Sequence, residues 1–165
     1  MTTDDLKALW RPILDSLLVH ARLISDDLEG LDQPLWQGVF QAPDGPREEA
    51  AMPLRQLLVH LNVATWEVPM VMVSGEGFGP VKDAAAQLAD ARPSALTADL
   101  EQRAERLLEM LNDLDDAVLA HTRMLPFGEL TIADALTRAA LHVMHHKAQL
   151  MVVMRQLGVR PARFL

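Results

Sequence analysis

A chain of 165 residues has room for one domain with one hydrophobic core of ordinary size. It contains no cysteine, which excludes disulfides, thiolate metal sites and a cysteine nucleophile, and leaves imidazole, carboxylate and water as metal donors. Its 15 basic and 23 acidic residues give a formal charge of −8, which repels phosphate backbones and argues against nucleic acid as a partner.

Half of the residues are apolar, but every long apolar run is broken by charges or by Pro and Gly. The longest, Val68 to Ser74, is far short of the ~20 residues that a membrane-spanning helix needs. No charged segment followed by an apolar one opens the chain as a secretory signal would. The expectation is a cytoplasmic protein with no membrane partner.

In chain order, Leu6, Leu9, Trp10, Ile13, Leu14, Leu17, Leu18 and Ala21 recur at three- and four-residue steps, predicting helix one from about Thr3 to Leu28. Gly30, Pro34, Gly38, Pro43, Gly45 and Pro46 punctuate a long connection. Helix two begins near Pro53, where a missing N–H costs nothing, and runs through Leu54, Leu57, Leu58, Leu61 and Val68 towards Ser74. Pro69 should kink it or end its regular part. Gly75 to Pro80 is a loop whose glycines follow no strand and do not match G-x-G-x-x-G, so it is a poor phosphate cradle.

A short helix is expected over Val81 to Ala89, then helix three from about Ala98 to His121, with Thr97 as N-cap. Its stripe is Leu100, Ala104, Leu107, Leu108, Leu111, Leu114 and Val118, and Asp113, Asp115 and Asp116 read as a solvated face. Pro126 and Gly128 break the chain again. Thr131 with Asp134 resembles a capping box that opens helix four, which ends near Leu157 with Gly158 as C-cap. There is no strand pattern and no repeat. The prediction is all-α: a single domain over 1–165, a four-helix bundle with a long first connection and a short extra helix before helix three.

The chemistry lies in the histidines. At ~100° per residue, His142 and His146 differ by only ~40° around helix four and lie one turn apart, so two imidazoles can meet one ion. His60, amid Leu57, Leu58 and Leu61, should face the core of helix two. Three neutral imidazoles from two helices would leave coordination positions for water or substrate, the pattern of a catalytic rather than a structural metal. Against this, a lone histidine on an apolar helix is more often a hydrogen-bonded core residue, and H-x-x-x-H pairs arise by chance. His145, three residues from His142, competes with His146 as ligand, whereas His20 and His121 have no partner at ligand spacing and read as surface or interface residues.

Gln149, one turn beyond His146, is a candidate to orient a ligand or substrate, or simply a polar residue at a helix interface. Glu67 lies seven residues from His60 on roughly the same face, ~10 Å along the axis, which suits contact with substrate or with a ligand's outer side better than ligation. Trp36, Trp66 and Phe78 are candidates for a pocket mouth, though aromatic residues in a bundle are more often core. The catalytic residues and the substrate are not identified by these patterns.

The segment Leu57-Leu58-Val59-His60-Leu61 is similar to the single-histidine segment in helix two of the DinB/YfiT-like family of metal-binding bundles. Thr131 to Gly158 resembles that family's final helix, with His142, His146, Lys147, Ala148 and Gln149 followed by Met154-Arg155-Gln156-Leu157-Gly158. Lys147 and Ala148 stand where the family usually has Arg and Gly, and neither position is a ligand. The resemblance implies His60, His142 and His146 around one divalent ion, zinc or nickel, and a homodimer. In some members it implies transfer of a low-molecular-weight thiol, bacillithiol or mycothiol, to a small electrophilic substrate. A metal with an open position favours a thiolate at neutral pH, and the same ion could activate water for hydrolysis. Other members have no known activity, which keeps open a non-catalytic stress-response or interaction bundle. Apolar runs at Met70 to Val73 and Leu150 to Met154 exceed one buried stripe, as a subunit contact or cover by the same chain would require.

Overall fold

The computed structural model describes residues 1–28 and 53–156. Helix α1, Thr3–Leu28, forms where it is expected. Leu6, Trp10, Leu14, Leu17 and Ala21 are its buried stripe, and Pro12 sits on its exposed side. Thr2 and Asp5 cap its start reciprocally, Asp5 N donating to Thr2 Oγ1 at 3.2 Å and Thr2 N to Asp5 Oδ2 at 2.8 Å. The long connection and Trp36 lie outside the described residues.

The expected second helix is two helices, α2 over Leu54–Thr65 and α3 over Glu67–Ser74. The break falls at Trp66 (φ −123, ψ −60), three residues before the proline that causes it. Pro69 has no N–H to offer the Thr65 carbonyl, and its ring crowds that carbonyl, so the disruption appears one turn upstream. Within α2 the buried polar groups bond their own helix, Asn62 Nδ2 to Leu58 O at 2.9 Å and Thr65 Oγ1 to Leu61 O at 2.7 Å. Leu54–Ser74 is long and apolar enough to cross a membrane by composition, with mean hydropathy 1.3, but 67% of that window is buried inside the fold as core. Gly75, at φ 78, ends α3 in the left-handed conformation and donates to Val71 O at 3.0 Å.

Helix α4 covers Gly79–Leu88 and α5 covers Pro93–Asp113. The start of α5 lies five residues before the expected one, with Pro93 in the first turn. Thr97 is therefore not a cap; it is buried and donates to Ala21 O at 3.2 Å, tying α5 to α1. Nor does α5 continue to His121. Leu114 turns extended (φ −76, ψ 129), and Asp115 caps a separate short helix, α6 over Asp116–Leu119, by accepting from Ala117 N at 2.8 Å. Asp116 accepts from Thr3 N at 2.7 Å. Asp113, Asp115 and Asp116 are exposed, as the solvated-face reading expects, and Asp115 and Asp116 also accept from backbone N–H groups, for which short carboxylates compete.

An antiparallel hairpin, β1 over Thr122–Leu125 and β2 over Gly128–Thr131, replaces the expected plain break. Leu125 pairs with Gly128 across Pro126 and Phe127, and Gly128 takes φ 117, which glycine adopts without a Cβ clash. Thr131 then opens α7, Ile132–Gln156, and Asp134 N donates to Thr131 Oγ1 at 3.0 Å as the capping reading anticipates. Leu157 and Gly158 lie outside the described residues.

Helix α1 packs on α5 and α7, and α2 packs on the same two. The four close a ring around a core of Trp10, Leu14, Leu58, Leu61, Leu100, Leu107, Leu136 and Val143. Among the described residues the fold is a predominantly helical bundle with a hairpin leading into α7.

Candidate metal centre

The contact of α2 with α7 sets His60 against His142 and His146. Leu57, Leu58 and Leu61 are buried around His60 and fix the face it presents. On α7, buried Val143 and Leu150 hold the helix so that both histidines meet α2. Ring centroids lie 5.0 Å apart for His60 and His142, 4.4 Å for His60 and His146, and 4.4 Å for His142 and His146. One ring nitrogen from each falls within 4.8 Å of the other two. His60 Nε2 and His142 Nε2 are 2.8 Å apart.

The cluster is graded from inside to outside: His146 buried, His60 half-buried, His142 exposed. Burial lowers the pKa of His60 to about 4, helped by the neighbouring rings of His146 and His142. Burial also lowers His142, with His146 and His145 adding to the effect. His146 is lowered by burial, with the hydrogen bond to Gln149 opposing. All three rings are therefore neutral at pH 7, the form that ligates a cation. His146 Nδ1 lies 2.7 Å from Gln149 Oε1. An amide oxygen only accepts, so Nδ1 carries the hydrogen and His146 Nε2 keeps its lone pair.

Three imidazoles suit a borderline divalent ion such as zinc or nickel. Metal–nitrogen bonds of about 2.0–2.1 Å in a tetrahedral site would hold two nitrogens about 3.3 Å apart. The 2.8 Å between His60 and His142 is a hydrogen-bond separation, so rings moving apart by about 0.5 Å would admit the ion. The donor set and geometry fit a metal.

The other expected residues divide. His145 is exposed, its ring 5.1 Å from His146, and it is not in the three-nitrogen group. Glu67 turns to α5, where its buried carboxylate pairs with Arg103, which also pairs with Asp99. The break at Trp66 resets the helical phase, so counting at 100° from His60 misplaces Glu67. His20, expected at a surface or interface, is buried and donates from Nδ1 to Ser16 O at 2.6 Å. Lys147, which the sequence left without a role, is buried as well, its pKa lowered by burial, and its Nζ donates to Ser16 Oγ at 2.5 Å.

Beside His60 and His142 opens a cleft of about 470 Å³. Val68 and Met72 of α3, Phe78 and Val81 around α4, and Ala139 of α7 make its apolar walls. Phe127 closes it from the hairpin tip, and Arg138 brings a cationic group to it. Phe78 thus lies at a pocket as the sequence suggested, whereas Trp66 packs against the core. Phe127 and Arg138 were missed. The available signal was Leu125-Pro126-Phe127-Gly128, a turn between two short segments.

The family described as the DinB superfamily matches residues 2–150. No curated protein matches the chain.

Proposed function

The chain belongs to the DinB superfamily, and on that premise we propose that it holds one divalent ion, zinc or nickel, through His60, His142 and His146 and transfers a low-molecular-weight thiol to a small electrophile. The observation that carries this reading is the convergence of three neutral imidazoles, one of them exposed, on the edge of an apolar cleft. A divalent ion bound there would supply Lewis acidity, which lowers the pKa of a thiol or a water that joins it.

The chain's own residues do the rest. Gln149 holds His146 in one tautomer and one orientation. Exposed His142 leaves one side of the cluster open to a second molecule. The walls contributed by Val68, Met72 and Phe78 exclude water from an electrophile seated against them. The protein acts in the cytoplasm as a homodimer in this reading, the exposed Leu141, Met144 and Val152 of α7 offering apolar surface for a second copy.

Metal-dependent hydrolysis is the second reading, favoured by the exposure of His142, which admits water as readily as a thiol. Elemental analysis of the purified protein, beside His60→Ala and His142→Ala, tests the centre. About one ion per chain, lost in both variants, is the expected result. Turnover of an electrophilic test substrate with and without added thiol then separates transfer from hydrolysis. No ion after reconstitution with zinc, nickel or manganese would leave a non-catalytic stress-response or interaction bundle.

A further inference from the structure

We infer that the electrophile accepted by this cleft carries a carboxylate, held by Arg138, on an apolar body packed between Phe78 and Phe127. The inference deepens the thiol-transfer reading and rests on it for the claim that the bound molecule reacts; recognition of the anion by Arg138 stands or falls on its own measurement.

Arg138 is the permanently charged side chain among the cleft-lining residues. Among the described residues, no carboxylate forms an ion pair with it. Its nearest acidic neighbour by sequence spacing is Asp134, one turn earlier on α7, and that carboxylate accepts from Thr131 Oγ1 at 2.7 Å in the helix cap. A guanidinium presents a planar fork of donors that matches a carboxylate. The position is specific too. Arg138 and His142 are four residues apart on one helix, so their backbone positions lie about 6 Å apart along the axis, and both side chains line the same cleft. A molecule with its anion on Arg138 therefore lays its apolar part across the mouth of the histidine cluster. Phe127 is half exposed at the hairpin tip, and Phe78, just before α4, lines the same cleft. In a chain of net charge −8, a cation with no carboxylate partner among the described residues, set at an apolar cleft, selects an anion locally against the overall field.

The test compares 3-phenylpropionate with its neutral amide, 3-phenylpropanamide, by calorimetry or NMR titration. Both are titrated into the metal-reconstituted and the chelator-treated protein, for the native chain and for R138Q. Arg138 is exposed, so R138Q should fold, and its melting curve confirms this. The acid is expected to bind about tenfold more tightly than the amide in both metal states. R138Q should erase that preference and leave the amide's affinity unchanged. Equal binding of acid and amide, or binding of neither, overturns the inference. A preference that survives R138Q but disappears with the metal places the carboxylate on the ion, which sinks the role of Arg138 and leaves the metal reading standing. A preference lost in R138Q by a protein that takes up no metal keeps the anion site and removes the thiol-transfer reading.

Discussion

His60 Nε2 and His142 Nε2 face each other at 2.8 Å, although 82 positions separate the two residues in sequence. Two neutral imidazoles share one hydrogen at that distance, whereas a cation needs both lone pairs and about 0.5 Å more room. Metal binding should therefore stabilise the fold by replacing one hydrogen bond with a three-point clamp between α2 and α7. With free metal at a thousandfold its Kd, linkage gives about 4 kcal/mol, seen as a raised Tm. In His60→Ala most of this metal-dependent gain should vanish. An equal gain in the variant would show that the ion binds elsewhere.

Acid should destabilise the metal-free protein through the same cluster. His60 titrates near 4 in the folded chain and near 6.5 when unfolded. Between those values the unfolded chain binds the extra proton, so the stability present above pH 6.5 is lost as pH falls through the window. His142 and His146, also lowered, act in the same direction. The contribution of His60 is on the order of 1–2 kcal/mol, since water partly screens its half-exposed ring. Urea unfolding of the chelator-treated protein at pH 7 and pH 4.5 measures it. His60→Leu should flatten this part of the profile, and an unchanged slope would refute the assignment.

What the sequence disclosed and what it hid follow from the range of the forces involved. Periodicity is local, so α1 and the opening of α7 were legible from stripes and caps, as was the pairing of His142 with His146. Trp66 was hidden because a proline acts on the carbonyl four residues back, so the break does not coincide with its cause. Glu67 was misplaced by the same break. Asp115 was hidden because an acidic run reads equally as a solvated face or as a cap. The hairpin lacks enough alternation in four-residue strands to stand out from coil, and Phe127 of the cleft went with it. Lys147 and His20 were hidden for another reason: Lys147 meets Ser16 only because α7 packs on α1, and His20 is buried on a helix that packs against both α5 and α7, which no local pattern encodes.

The Glu67–Arg103 pair lies outside the three-nitrogen group. Both side chains are about 11% exposed, and Arg103 is shared with Asp99. Removing one partner of a buried pair leaves the other charge uncompensated. Arg103→Ala should therefore cost about 3 kcal/mol in urea unfolding, and the Glu67→Leu/Arg103→Leu double variant appreciably less. Metal content per folded chain should stay at the native level in both. Loss of metal in Arg103→Ala at full folding would instead tie Glu67 to the centre.

Gln149 offers the sharpest separation between orienting a ligand and filling a helix surface. Its Oε1 lies 2.7 Å from His146 Nδ1, and it is exposed, so its removal leaves the core untouched. If it fixes the tautomer of His146, Gln149→Leu should weaken metal binding by about 10- to 100-fold, measured by competition with a chelating dye, with stoichiometry retained. The stability of the metal-free protein should change by less than about 1 kcal/mol, because the bond lies at the surface. Gln149→Glu keeps an acceptor at the same place and, with a carboxylate, should bind metal at least as tightly as the native chain. An affinity unchanged in Gln149→Leu would mean that His146 is oriented by its packing alone and that Gln149 plays no part in the centre.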